Sequence, residues 1–130
     1  MVGERSNVKA PALLAALILG ASLIGCSGNS GGAADHAADT LTKSVYANDY
    51  HGTLTQLDSA TQKQVTRASV GAMSDMMHRL GTYNGLTLMS ADPAKNEFTY
   101  KANFEHGSLN VALRLDTHHG VAAYHVFATP

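Results

Sequence analysis

An α+β domain, with helices running ahead of a four-stranded antiparallel sheet, is the fold class that this 130-residue chain predicts. Two observations carry it. Apolar residues recur at intervals of three and four up to Leu80, then at intervals of two beyond Gly81. The segments with the two-residue period are separated only by short turns, and connections that short join antiparallel rather than parallel neighbours. Strands clustered behind helices place the helices together on one face of the sheet.

The first helical segment spans residues 35–57, where Leu41, Val45, Tyr46, Tyr50, Leu54 and Leu57 share a face. A break is expected between Asn48 and Gly52, because Asn-Asp interrupts the pattern and glycine is a poor helix former. Asp58-Ser59 opens the next boundary, with Ser59 or Thr61 as N-cap. A helix over 61–80 then carries a stripe of Val65, Ala68, Ser69, Ala72, Met73, Met76, Met77 and Leu80. Gly81 is placed to stop it with a left-handed residue, and Arg79 suits the negative helix end. The three methionines could form a soft-metal site or a plastic binding face, but at helical spacing they read as core filler.

The sheet begins near Leu86–Met89. Asp92 to Asn96, containing Pro93, makes the first turn. Phe98, Tyr100, Ala102 and Phe104 then alternate with Thr99, Lys101, Asn103 and Glu105, the pattern of a half-buried strand. His106-Gly107 supplies a tight turn. Leu109, Val111, Leu113 and Leu115 face inward on the third strand, Asp116–Gly120 turns the chain, and Val121–Ala128 closes the sheet. The inward faces of the last two strands are expected against Met73, Met76 and Leu80.

The N-terminal region has a different character. Arg5 and Lys9 precede an uncharged apolar stretch, Ala10–Gly25, of sixteen residues. A membrane-spanning helix needs about 20, so the stretch reads as a secretory signal. It ends in Leu23-Ile24-Gly25-Cys26, and Cys26 is the single cysteine of the chain. This run resembles the lipobox of bacterial lipoproteins, in which the thiol is joined to diacylglycerol and the cysteine becomes the new N-terminus. The resemblance implies a signal peptide at 1–25 and a lipidated Cys26. Residues 26–34, rich in Gly, Ser and Asn, then form a flexible tether, ahead of a domain at 35–130. Lipid modification also accounts for a lone thiol in an exported protein. Ser27 follows the cysteine where an aspartate would signal inner-membrane retention. The expected location is therefore the cell envelope, at the periplasmic face of the outer membrane in a Gram-negative cell.

Charge narrows the partners. From Cys26 onward there are seven Lys or Arg and nine Asp or Glu, with no basic run, so a nucleic-acid role has no electrostatic basis. No cofactor-binding motif is present.

The domain itself carries a second resemblance. The break Asn48-Asp49-Tyr50 looks like the "GDY" turn of small cystatin-like or NTF2-like domains. Leu80-Gly81 and the closing hairpin LNVALRLDTHHGVAAYHV are similar to the same group, nearest in style to the DUF3887 and DUF4878 type of bacterial lipoprotein domain. Asn48 stands where that group has glycine. The resemblance implies a curved sheet wrapped over helices as a cone-shaped pocket, and a homodimer formed through the outer sheet face.

Candidate chemistry is sparse. Seven histidines include His118 and His119 in one turn, His125 on the next strand and His106 in the neighbouring turn. Such a group could hold Zn²⁺, Ni²⁺ or Cu²⁺, but neighbouring strand residues face opposite ways and the spacing matches no zinc motif, so no metal site is expected. His36 and His51 are expected in solvent, and His78 at the edge of the core. Asp49 with Tyr50, Tyr83 or Tyr100 could imitate the acid and hydroxyl pair of a ketosteroid-isomerase-like enzyme or cyclase. An acid there needs an apolar pocket, and the simpler role for Asp49 is to cap or end a helix. The primary expectation is therefore a non-catalytic, membrane-anchored module that binds a small apolar ligand, a peptide or an envelope protein. One specific form is a periplasmic inhibitor or immunity lipoprotein. Tyr83, Tyr100, Phe104 and Tyr124 are the candidate contacts, and Cys26 is the lipidation site.

Overall fold

The computed structural model describes residues 32–130. The signal region, Cys26 and the first part of the tether lie outside the described residues. Four helices, α1 (32–46), α2 (Tyr50–Thr55), α3 (Ser59–Gln62) and α4 (Arg67–His78), precede four strands. The strands are β1 (Tyr83–Asp92), β2 (Glu97–Phe104), β3 (Gly107–Leu115) and β4 (Val121–Ala128). They form one open antiparallel sheet in the order β1-β2-β3-β4. The α+β class is as the two periodicities indicate.

Helix α1 takes up the last three residues assigned to the tether. Ala34 is only 1% exposed, and with Ala38, Leu41 and Val45 it forms the stripe that seals the inner face of the sheet. That stripe meets Phe98, Tyr100, Ala102, Phe104, Leu109, Val111, Leu113, Leu115 and Val121 in one apolar core. The alternation read in β2 and β3 is matched residue for residue by their burial.

The break after α1 falls at the start of the expected window, at 47–49, and Gly52 lies inside α2. The Asp49 N–H donates to the Ser44 carbonyl (2.9 Å) and the Asn48 N–H to that of Val45 (2.9 Å), a Schellman closure. Such a closure needs a residue at positive φ. Asn48 provides it at φ 56°, a conformation asparagine tolerates better than other residues with a Cβ.

The long helix expected over 61–80 is two helices. Asp58 caps α3 by accepting from the Thr61 N–H (2.8 Å), so neither Ser59 nor Thr61 is the cap. Thr66 caps α4, accepting from the Ser69 N–H (3.1 Å) while Ser69 Oγ accepts from the Thr66 N–H (3.0 Å). This reciprocal box starts a helix at Arg67 and separates Val65 from the stripe. The buried face of α4 is Val70, Ser74 and Met77, whereas Ala68, Ser69 and Ala72 are exposed. Met73, Met76 and Leu80 pack on the margin of the core, so the main cover of the sheet is α1 rather than the methionine helix. Gly81 follows α4 at φ +91°, and the Leu80 carbonyl beside it accepts from the His106 N–H (2.8 Å), tying the helix end to the β2–β3 turn.

Strand β1 starts three residues earlier than expected. Gly85 adopts φ +104° within a bulge, where the pairing slips between Tyr83 and Leu86. A second slip, between Leu88 and Ser90, leaves Met89 as the extra residue. The two sheet edges differ. The start of β4 is covered by the segment after α2, through the Leu57–Val121 bridge and the Asp58 N–H to Val121 carbonyl bond (2.8 Å). Among the described residues no strand pairs with the outer edge of β1.

Candidate functional site: the tyrosine latch and the groove beside it

Helix α1 carries a second, polar line beside its apolar stripe. Asp35, Asp39, Thr42 and Tyr46 are spaced four, three and four residues apart, so they share one flank. Each meets a partner across the interface. Tyr100 Oη donates to Asp35 Oδ1 (2.8 Å) and Tyr83 Oη to Asp39 Oδ1 (2.8 Å). Thr42 Oγ1 and Tyr124 Oη share a bond of 2.9 Å, and Tyr46 Oη donates to the Gly81 carbonyl (3.0 Å). Three strands thus each send one tyrosine to the helix. The rings fill the interface while the hydroxyls find polar partners at its margin, as buried tyrosines require.

These contacts shift the protonation equilibria. Burial pushes the Tyr83 hydroxyl far above the ordinary phenol range, and the Asp39 carboxylate, as acceptor and as a nearby negative charge, adds to that. Burial and Asp35 do the same for Tyr100. Burial raises Tyr124 as well, partly offset by its bond to Thr42. Burial would raise Asp39, but the Lys43 ammonium at 2.7 Å and the Tyr83 hydroxyl prevail, holding its carboxyl below the usual value.

The four aromatic residues expected as ligand contacts are therefore parts of the helix–sheet interface. Tyr100 is 1% exposed and Phe104 is also buried; Tyr83 and Tyr124 are half-buried with their hydroxyls bonded to α1. Tyr46, Tyr83 and Phe104 form a ring cluster with centroids 5.7–6.2 Å apart, and His78 stacks on Tyr46 at 4.1 Å. His78 is also anchored through Nδ1, 2.9 Å from the Ser74 carbonyl oxygen. Among the expected contacts, only Tyr100 reaches the groove described next.

Asp35, Asp39, Leu86, Leu88 and Tyr100 line a groove of about 230 Å³ between the first turns of α1 and strand β1. Leu88 points to the core side of the sheet, paired with Tyr100 in register, yet it is 45% exposed. Met89, thrown out by the bulge, is 56% exposed. An acidic helix flank, two leucines and an open strand edge meet here. The first two residues were missed by sequence reasoning. The four-three-four spacing of Asp35, Asp39, Thr42 and Tyr46 beside an alanine-rich stripe is the signal that could have found them.

The other candidates separate. Asp49 is exposed and caps α2, accepting from the Gly52 N–H (2.9 Å), so it supplies no buried acid for an isomerase-like reaction. His106 and the His118-His119 pair lie at opposite ends of β3, which at the usual rise is about 27 Å long, and His125 is exposed on the outer sheet face. His36 instead lines a groove of about 490 Å³ with His118 and His119, a proximity the sequence did not suggest. Among the described residues no set of three histidine, cysteine or acidic side chains is arranged to hold a metal ion. Among the same residues no helix is long and apolar enough to cross a membrane.

Fold and site together define a small α+β domain in which a latched helix leaves one acidic-apolar groove beside an open strand. Comparison with family models, curated proteins and solved structures gave no significant match, so the reading of its role rests on its own residues.

Proposed function

We propose that the chain is a lipid-anchored envelope protein whose domain is a non-catalytic binding module. The observation that carries the binding part is the groove beside β1. Leu88 is exposed there and Leu86 half-buried, beside two carboxylates that each accept from one tyrosine. Exposed apolar residues grouped at an edge mark an interaction surface more often than an incidental one. The anchoring part rests on Leu23-Ile24-Gly25-Cys26 and on the apolar stretch before it. Two or three acyl chains, at ~0.8 kcal/mol per buried CH₂, would hold the protein firmly at a membrane. The DUF3887 and DUF4878 resemblance agrees with a lipoprotein of this build.

Fractionation of cells making the full chain tests the anchoring directly. The wild type is expected in the membrane pellet, released by detergent but not by salt. Cys26→Ser is expected to lose this behaviour. A Cys26→Ser protein that fractionates like the wild type would refute the anchor. The isomerase-like reading is not carried forward, because its base would be Asp49, which caps a helix in solvent.

A further inference from the structure

We infer that the groove between α1 and β1 receives an extended polypeptide segment, paired along β1 and carrying a cationic side chain toward Asp35 and Asp39. The inference rests on the binding-module reading above and names its partner.

Three features of the edge lead to it. Strand β1 is ten residues long, and from Tyr83 to Ala91 it contains no charged residue and no proline. Lysines and prolines are common devices that keep an edge from accepting another strand. The protection present is the pair of bulges, and these leave Leu86, Thr87 and Leu88 as a regular stretch paired with Ala102, Lys101 and Tyr100. In a strand, alternate residues turn their backbone groups outward, so this stretch offers a short template for one added strand. The bulges limit its length, which suits a short segment better than a whole second sheet.

Charge selects the occupant. The groove lining is two carboxylates, two leucines and Tyr100. The Asp39 carboxylate is held in its ionised form, with Oδ1 accepting from Tyr83 and Oδ2 paired with the exposed Lys43 ammonium at 2.7 Å. Asp35 lies one helical turn earlier, with one oxygen engaged by Tyr100. A segment with an apolar and a basic residue two positions apart would turn both toward the inner face, the apolar side chain packing against Leu86 and Leu88. Its cation would then reach the acidic flank. An acidic segment would meet like charge. An apolar small molecule would satisfy neither the carboxylates nor the open backbone edge.

The test uses the full lipidated chain in neutral detergent micelles and three fluorescent hexapeptides, read by anisotropy. One has valine, lysine and valine at its first, third and fifth positions with threonine between and after them, one has glutamate in place of that lysine, and one is the lysine peptide methylated on alternate backbone nitrogens. The lysine peptide is expected to bind at least about tenfold more tightly than either other, a difference of about 1.4 kcal/mol. The double variant Asp35→Asn, Asp39→Asn keeps acceptors for both tyrosine hydroxyls and is expected to erase the preference for lysine over glutamate. Equal binding of the three peptides by the wild-type chain, or binding of none, overturns the inference without needing any variant to fold. So does an unaltered preference in a double variant with wild-type circular dichroism. Membrane fractionation is untouched by these outcomes, so loss of the peptide partner and loss of the anchor are separately visible.

Discussion

Raising the pH should unfold this domain with an unusually steep dependence, because three tyrosines are held neutral by the fold. Tyr83, Tyr100 and Tyr124 all have hydroxyls pushed upward by burial, two of them also by a neighbouring carboxylate. In the unfolded chain each would ionise near the ordinary phenol value of about 10. A folded-state pKa raised above the unfolded one gives stability that is fully present below the unfolded value and is lost as pH rises past it. Each such group removes about 1.4 kcal/mol per pH unit above pH ~10, so three give a slope near 4 kcal/mol per unit. A domain near the lower end of the usual range of roughly 5–15 kcal/mol would then unfold about one to two units above pH 10. The assay is urea unfolding followed by circular dichroism across this range, with tyrosinate absorbance recorded in parallel. The three tyrosines should deprotonate in the same cooperative step that abolishes secondary structure. Tyr124→Phe should reduce the slope by about a third. Reversible ionisation of all three in the folded protein, or a slope of one tyrosine or less, would refute the latch.

Acid should act through Asp39. Its carboxyl is held below the usual value in the fold, so the associated stability is present above about pH 4 and is lost as pH falls through the folded value. Asp39→Asn should flatten that limb in a pH series of urea midpoints, differing from wild type near neutrality and converging with it in strong acid. Met77→Ala removes a side chain with no exposure at the centre of the core and should cost about 2–5 kcal/mol, measured by equilibrium unfolding. Thr66→Ala removes the capping box of α4 and should cost about 1 kcal/mol with an unchanged denaturant slope. Placing a side chain at Gly81 should strain a residue at φ +91° and crowd Glu105, lowering the thermal midpoint of Gly81→Ala.

Much of the architecture was legible because it depends on local alternation. Phe98 to Phe104 and Leu109 to Leu115 announce their buried faces through a period of two, and the short turns leave little choice of topology. The misread places are those where a single side chain overrides a pattern. Val65 continues an apolar stripe, yet the Thr66–Ser69 exchange of hydrogen bonds ends one helix and begins another beside it. Ser74 is buried at a position that looks polar, because its Oγ donates to the Tyr46 carbonyl at 2.9 Å. The part of β1 before Leu86 rests on a bulge at Gly85, which only the pairing with β2 reveals. The groove was the least legible part. Asp35 and Asp39 sit among alanines as an ordinary solvated face would, and they take on meaning from Tyr100 and Tyr83, 65 and 44 residues further along the chain. The same distance hid the fate of the tyrosines. Their alternation shows that they face inward, but not that a helix waits there to bond them.

Intact-mass measurement of the full chain, extracted from membranes, tests the central claim of a lipid-anchored module most directly. The account predicts a protein lacking residues 1–25, beginning at Cys26 and carrying the added mass of a diacylglyceryl group with or without a further acyl chain. A chain that begins at Cys26 with no acyl mass, or that retains residues 1–25, would contradict it.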